Sequence, residues 1–341
     1  MQIAPVLALA LLGLLGWSHT QSAAEWKLSS PKPLPDGRPA ELARWKELSC
    51  AECHEDVTRE WARTTHAMAW IDPLYQESLK EKKKPESCHN CHIPEPLSHV
   101  EPGAKPKSRD PQHNWSHFGI DCNTCHLGKE GEILGPFGAP NEAHRSVAAE
   151  AFRPENQSVM LCIGCHATNI GPVIGIARDF VETEQEKKGR SCVGCHMAPI
   201  ERTIAKDATT VRKGRSHELQ TPRDPAFLAR AFEYRARREG AKVIVEFENV
   251  SGHRVPGLIG RVLDIDAELL DAQGVSLAKG RLSIDHKQFA PVDGVLTLEL
   301  EAANAAAGAK VLLKGLHDAP GYATPQPFLD LELTLPPAGG R

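Results

Sequence analysis

A five-residue pattern, Cys-x-x-Cys-His, occurs five times in this chain of 341 residues. The cysteine pairs are Cys50 and Cys53, Cys88 and Cys91, Cys122 and Cys125, Cys162 and Cys165, and Cys192 and Cys195, which use all ten cysteines of the sequence. The histidines that complete the copies are His54, His92, His126, His166 and His196. This is the attachment pattern of c-type haem: two thiols bind the vinyl groups of one haem, and the histidine becomes the proximal iron ligand. The sequence therefore predicts five covalently bound haem c groups.

Two other uses of paired cysteines account for the pattern less well. A disulfide framework could employ ten cysteines, but it gives no reason for a histidine after every second one. Zinc ribbons also use Cys-x-x-Cys pairs, yet five pairs would make two sites and leave one pair over. Neither alternative requires the histidines, whereas haem attachment requires every residue of the pattern.

The net charge bears on whether the protein binds nucleic acid, and the aromatic content bears on how its core is built. The formal net charge is −4, so the sequence predicts no nucleic-acid partner. Aromatic residues make up only 5% of the chain, which is little for a core of this size. We expect the haem macrocycles to supply the missing apolar bulk, and the haem-free chain to be poorly folded around the motifs.

The N-terminal residues resemble an export signal. An apolar run from Ile3 to Trp17 precedes a small-residue cleavage pattern, Ser22-Ala23-Ala24, so residues 1–24 are predicted to be a signal peptide. An uncleaved membrane anchor is the alternative, although the run is short for a span. Since c-type haem is attached outside the cytoplasm, we expect a periplasmic protein, with the cell surface as a second possibility.

The rest of the chain divides into two predicted domains. The first is a pentahaem cytochrome c domain over residues 25–222, in which short helices and loops pack around haems. It begins with a Pro-rich lead-in over 25–40, and one short helix over 40–48 would precede Cys50. Residues 223–341 form a helix, capped by Asp224 and ended by Gly240, followed by an all-β sandwich. Alternating residues predict strands at 241–248, 263–270, 275–278, 281–284, 295–300, 310–314 and 328–335.

Each iron has a second axial position. Ten of the 16 histidines lie outside both the motifs and the signal peptide, while the chain has only four methionines. An excess of histidine over methionine favours bis-histidine haems of low potential. His286 and His317 fall late in the β domain, where we expect ordinary surface residues.

Several of these motifs resemble those of the multihaem cytochrome c-554 family. The matching segments are Cys50-x-x-Cys53-His54 with Trp61-Ala-Arg-Thr-Thr-His66-Ala-Met-Ala, His117-Phe-Gly-Ile-Asp-Cys122-x-x-Cys125-His126, and Cys192-x-x-Cys195-His196-Met197-Ala-Pro with Ser216-His217. The resemblance covers about residues 48–220. The segment Asn249-Val-Ser-Gly252-His253-Arg-Val-Pro256-Gly is similar to an element of the β domain that follows such haem domains. This chain departs from the best-known members, which carry four haems.

The resemblance implies the distal iron ligands. They are His66, His117, His144, His217 and His253, with His99 and His113 in reserve. His66 lies 12 residues after His54, which is roughly 18 Å along a helix, so we expect it to reach a neighbouring haem. If His253 is a ligand, an iron joins the β domain to the haem domain.

The predicted function is electron transfer. Five haems within 200 residues must lie close together and pass electrons among themselves, receiving them from a quinol-linked donor or another cytochrome. One alternative is an oxidoreductase acting on nitrogen oxides or hydroxylamine at a five-coordinate haem. Another is an extracellular electron conduit, in which the β domain forms filaments or joins a membrane complex. Since all five motifs end in His, the carrier is the leading interpretation and no catalytic residue is assigned.

Overall fold

The computed structural model describes residues 41–138, 141–153, 159–169, 175–302, 305 and 308–336. The predicted signal peptide and the Pro-rich lead-in lie outside these residues. Within the described ranges, no helix combines the length and the apolar character needed to cross a membrane. All ten motif cysteines and all ten histidines predicted as iron ligands are described.

The first part of the described chain is built from short helices joined by loops and turns. The helices are α1 (Glu55–Ala62), α2 (Pro73–Lys80), α3 (Glu86–His92), α4 (Cys122–His126), α5 (Val159–His166), α6 (Ile176–Glu182), α7 (Cys192–His196) and α8 (Pro225–Ala229). The helix predicted before Cys50 is replaced by two 3-10 turns, Trp45–Glu47 and Ser49–Glu52. Such short helices have little stability in isolation, so their order depends on what they pack against.

Two small sheets accompany these helices. Strands β1 (Ile133–Gly135) and β2 (Ser146–Ala148) pair in parallel, and β3 (Pro199–Arg202) and β4 (Arg212–Arg215) pair antiparallel. A compact apolar cluster lies around the first motif and includes Trp45, Trp61 and Phe118. This cluster is small for some 180 residues, as expected of a region completed by cofactors.

The C-terminal part is a β-sandwich, as predicted. Its strands are β5 (Phe232–Glu239), β6 (Lys242–Asn249), β7 (Val262–Leu270), β8 (Ser276–Ile284), β9 (Val295–Glu301), β10 (Lys310–Asp318) and β11 (Gln326–Thr334). They form a four-stranded sheet in the order β11-β10-β7-β8 and a three-stranded sheet in the order β5-β6-β9, with antiparallel pairing throughout. Fully buried side chains from both sheets, such as Val245, Ile265 and Leu313, share one core.

The predicted helix from Asp224 to Gly240 is wrong beyond its first turns. Asp224 does cap a helix, accepting from the backbone N–H groups of Ala226 and Phe227, but α8 ends at Ala229. Residues 232–239 instead form β5, whose register pairs Tyr234 with Phe247 of β6. Apolar and charged residues alternate in residues 232–239, which is the pattern of a strand. Pairing with β6 outweighs the helix propensity of the arginines in this segment.

The strands predicted at 275–278 and 281–284 are one continuous strand, β8. Gly280 lies within it, opposite Ala267 of β7, and does not interrupt the ladder.

His317 was expected at the surface but is buried, because on β10 it is only 2% exposed.

Candidate haem-binding sites

Each predicted attachment motif lies on a helix or a tight turn. We number the motifs 1 to 5 in chain order, from Cys50–His54 to Cys192–His196. Helices α3, α4, α5 and α7 each end on the motif histidine, and motif 1 lies on a 3-10 turn. Cysteines three positions apart lie on the same face of a helical turn, where both thiols can reach one planar group. None of the ten motif cysteines, all of which are described, forms a disulfide.

Four motif histidines are oriented by the same contact. In each, the ring Nδ1–H donates to a backbone carbonyl: His54 to Ile204 at 2.5 Å, His92 to Ala69 at 2.6 Å, His126 to Leu134 at 2.7 Å and His196 to Gln220 at 2.6 Å. A proton on Nδ1 leaves the lone pair on Nε2, the nitrogen that would bind iron. These carbonyls lie between 8 and 150 residues away along the chain, so the histidines are oriented only in the folded protein.

Four motif histidines each face a second imidazole. The ring centroids are 6.3 Å apart for His54 and His144, 6.0 Å for His166 and His66, 6.2 Å for His126 and His217, and 6.4 Å for His196 and His253. An iron between two imidazoles, with metal–nitrogen bonds of about 2 Å on each side, separates the ring centroids by roughly 6 Å. The facing pairs therefore have the spacing that two axial ligands of one iron require.

Burial keeps three of the facing histidines, His66, His217 and His253, neutral. It lowers the pKa of His66 to about 3, and the pKa values of His217 and His253 to about 4. The facing motif histidine also lowers each of these values. Burial likewise lowers the pKa of the motif histidines His126, His166 and His196. Neutral imidazole is the form that binds a metal, so these side chains are prepared to act as ligands at neutral pH.

Motif 2 differs from the other four. His92 stacks on Tyr75 with ring centroids 3.6 Å apart and planes 4° from parallel, which is too close for an iron between the rings. Tyr75 is 9% exposed, and its hydroxyl has no hydrogen-bond partner among the described residues. Burial also raises the pKa of this hydroxyl. Among the described ring contacts, no imidazole faces His92 at the spacing seen in the other four sites.

His117, the remaining predicted distal ligand, is not brought to a motif histidine. Its ring packs on Phe118 at 3.9 Å, and its buried Nε2 has no hydrogen-bond partner among the described residues. Burial and the neighbouring Arg44 guanidinium lower its pKa. Of the reserve candidates His99 and His113, both are exposed.

The motifs are neighbours in an order that differs from their order in the chain. Thiol–thiol hydrogen bonds run from Cys122 to Cys50, from Cys165 to Cys91 and from Cys162 to Cys192. Cys125 also lies close enough to Cys162 and Cys165 to affect both thiols electrostatically. Motif 1 therefore adjoins motif 3, motif 3 adjoins motif 4, and motif 4 adjoins motifs 2 and 5.

An apolar cavity lies between motifs 3 and 4. Its volume is about 230 Å³, and its lining includes Cys125, Phe152, Leu161 and Gly164. Phe152 also stacks on His126, with ring centroids 4.8 Å apart. A flat apolar group attached at Cys125 would contact the apolar side chains that line this cavity, as a haem would.

Some residues that shape these sites were not found from the sequence. Tyr75 and the four carbonyl acceptors give no local signal, because their roles depend on distant segments. Asp121 and Ser191 each cap a motif helix, accepting from Thr124 N–H and Gly194 N–H, and an Asp or Ser just before the first cysteine is a signal that could have identified them.

Comparisons with known proteins give one family match and one shared fold. The family model described as cytochrome c554 and c-prime matches residues 49–127, which contain motifs 1 to 3. A penta-heme cytochrome c552 from Thermochromatium tepidum superposes with a TM-score of 0.55 at 16% identity, over 83% of this chain and 97% of that one.

Two further comparisons contribute nothing to the interpretation. A transglutaminase from red sea bream matches with a TM-score of 0.19 and 12% identity, over 39% of this chain and 22% of its own, and carries no argument. No curated protein matches the chain. The family match and the shared fold, together with the attachment motifs, support a multihaem c-type cytochrome.

Proposed function

We propose that this protein is an extracytoplasmic electron carrier with five covalent haem c groups, at least four of them held by two histidines. The observation that carries the proposal is the set of four facing imidazole pairs, 6.0 to 6.4 Å apart. Haem iron, when bound, exchanges single electrons without chemical change to the protein. Occupying both axial positions with histidine leaves no place for a substrate, which suits a carrier.

The neighbour relations among the motifs support a branched path. Motif 4 adjoins motifs 2, 3 and 5, while motif 1 connects only through motif 3. Electrons entering at any outer site would reach the others through motif 4. We propose a periplasmic location and exchange with quinol-linked or cytochrome partners, since attachment at these motifs takes place outside the cytoplasm.

Electron paramagnetic resonance of the oxidised holoprotein, with haem content measured on the same sample, tests the proposal. We expect five haems per chain and low-spin signals for at least four. Fewer than five haems, or several high-spin signals, would contradict it. His144→Ala and His217→Ala should each convert one further haem to high spin, while the exposed His113→Ala should convert none.

A second function is favoured by one observation, the absence of a facing imidazole at His92 among the described residues. An iron at motif 2 with an open position could bind a small ligand such as nitric oxide or hydroxylamine. Tyr75, with its buried and unpartnered hydroxyl, is the nearby side chain that could donate a hydrogen bond. A stoichiometric high-spin signal that shifts on addition of nitric oxide would support this function, and five low-spin signals would exclude it.

A further inference from the structure

The loop that carries His253 lies between β6 and β7 but packs on α6, in the haem-binding part of the chain. Gly252 has φ +81°, and a Cβ added there would lie 3.3 Å from the Phe180 ring. A Cβ on Gly257 would lie 2.2 Å from Ile176 Cγ2. The loop backbone therefore lies too close to α6 for a side chain at position 257, and a side chain at position 252 would press on the Phe180 ring.

A buried carboxylate on α6 holds this loop. Asp179 is 6% exposed and accepts three hydrogen bonds from Arg254: from the backbone N–H at 3.1 Å, from Nε at 2.6 Å and from Nη2 at 2.7 Å. The Arg254 carbonyl in turn accepts from His253 Nδ1 at 2.9 Å. Asp179 thus fixes the residue whose carbonyl sets the orientation of the His253 ring.

The other side of the loop is fixed within the sandwich. Asn249, which is fully buried, donates from Nδ2 to the carbonyl of His253 at 2.8 Å and to that of Ala290 at 3.0 Å. Ser251 Oγ also donates to the His253 carbonyl, at 2.8 Å. His253 is therefore held from both parts of the molecule.

The same construction recurs at motif 3. Glu60 on α1 is 8% exposed and accepts from Nη1 and Nη2 of Arg202, at 2.6 and 2.9 Å. It also accepts from the backbone N–H of His217 at 2.8 Å. In both places a buried carboxylate binds two guanidinium nitrogens of one arginine. The same carboxylate also accepts from a backbone N–H, that of Arg254 next to His253 in one site and that of His217 itself in the other.

We infer that Asp179 and Glu60 are positioning residues for the distal iron ligands of motifs 5 and 3. A carboxylate in such a pair is rigid, because bidentate charge-assisted bonds fix both partners. Fixing the neighbouring backbone holds each imidazole at its distance and rotation, and outer contacts of this kind tune metal sites. The inference rests on the proposed function, since it takes His253 and His217 to be iron ligands.

The two sites give distinguishable signals. The facing imidazole planes are 16° apart at motif 5 and 33° apart at motif 3, and low-spin resonance spectra depend on this angle. In the holoprotein, Asp179→Asn should shift or partly convert to high spin the signal of motif 5 alone, with a changed potential for that haem. Glu60→Gln should do the same for the haem of motif 3 alone, which His217→Ala identifies, because the angle at motif 1, 34°, is too close to that at motif 3 to tell the two apart.

The control variant is Asp293→Asn. Asp293 also joins the two parts of the chain, accepting from Gln185, Lys188 and Arg190, and none of these described hydrogen bonds goes to the His253 loop. We expect its spectrum to match that of the unmodified protein. Equal changes in Asp293→Asn and Asp179→Asn would overturn the inference, because they would indicate general loosening between the two parts.

His253→Ala separates the inference from the function on which it rests. If His253→Ala adds no high-spin signal to that of the unmodified protein, His253 is not a ligand and the proposed function fails at this site. If His253→Ala converts one haem and Asp179→Asn changes nothing, only the positioning role fails. Where Asp179→Asn does not accumulate, Arg254→Lys removes the bidentate pair while it keeps the charge, and the same two outcomes apply.

Discussion

At the scale of single residues, His66 links two parts of the haem region that are distant in the chain. Its ring faces His166 of motif 4, and its carbonyl accepts from Ile120 N–H at 3.0 Å. Gly119 allows this contact, since it has φ +59° and a Cβ there would lie 2.5 Å from the His66 carbonyl oxygen. The first distal candidate in the sequence thus faces the fourth motif.

We predict that His66→Ala and His144→Ala each convert one haem to high spin, and that the double variant converts two. These histidines face different motif histidines, His166 and His54. The high-spin signals of the two single variants should therefore add in the double variant. Quantifying the high-spin resonance in the three variants checks this. A double variant with the signal of only one haem would mean that both side chains serve the same iron.

His317 is a buried residue of β10 that burial keeps neutral. Burial, and then the nearby Arg261 guanidinium, lower its pKa from 6.5 to about 4. The folded state therefore binds fewer protons than the unfolded state between these values. Its contribution to stability is complete above about pH 6.5 and is lost as the pH falls towards about 4.

We predict that His317→Gln reduces the acid sensitivity of the sandwich. A shift of this size corresponds to a contribution on the order of 2–3 kcal/mol. Denaturant unfolding of the unmodified protein and of the variant, compared at pH 7 and pH 4.5, measures it. The control His286→Gln lies in a turn between strands and should retain the acid sensitivity. Equal losses of stability in all three proteins would contradict the assignment to His317.

At the scale of elements, the motif helices are too short to be stable alone and depend on their caps. Asp121 caps α4 by accepting from Thr124 N–H at 3.0 Å, and it is also paired with Arg109 Nη1 at 2.6 Å. Its carboxylate is buried. Ser191 caps α7 with a single contact, Gly194 N–H to Ser191 Oγ at 2.7 Å.

We predict that Asp121→Ala destabilises the holoprotein more than Ser191→Ala does. Removing Ser191 loses one cap, at about 1 kcal/mol. Removing Asp121 also leaves the Arg109 charge without its carboxylate, which costs about 3–5 kcal/mol when the pair is buried. Thermal unfolding followed through haem absorbance compares the two. Equal midpoints would show that the Asp121–Arg109 pair contributes nothing beyond the cap.

At the scale of the whole molecule, the two parts of the chain differ in what forms their core. The sandwich contains a large apolar cluster contributed by both sheets. Among its described residues, the haem-binding part has one small cluster near motif 1, and apolar space such as the cavity near Cys125 lies beside its motif helices. We therefore expect the first part to need haem for stability, whereas the second can form its own core.

We predict that chain produced without haem keeps the sandwich and loses order around the motifs. Amide hydrogen exchange should remain slow in β7 and β10, which lie at the centre of the four-stranded sheet, and become fast in α3, α4, α5 and α7. The haem-loaded protein is the reference for both parts. Slow exchange in the motif helices of haem-free chain would show that the protein alone orders them.

Local patterns were enough to predict the class of fold, and the attachment sites predicted from them stay a prediction. A Cys-x-x-Cys-His motif acts within one helical turn, and alternating strands such as β6 display their buried face in the sequence itself. The same locality explains the error at β5. The cap at Asp224 and the proline after it correctly begin a helix, but pairing with β6, across a turn at Gly240, sets the conformation of the chain beyond Ala229.

Residue order alone predicted where haem is attached, and it established that histidines outnumber methionines and that a sandwich comes after the motifs. The packing of distant segments established which histidines face each other, that motif 4 lies between its neighbours, and that His92 meets Tyr75. An axial pair would require two imidazoles on opposite sides of one plane, and the imidazoles that face each other come from segments 57 to 100 residues apart in the chain. No local pattern encodes that arrangement, because it is set by how the segments pack.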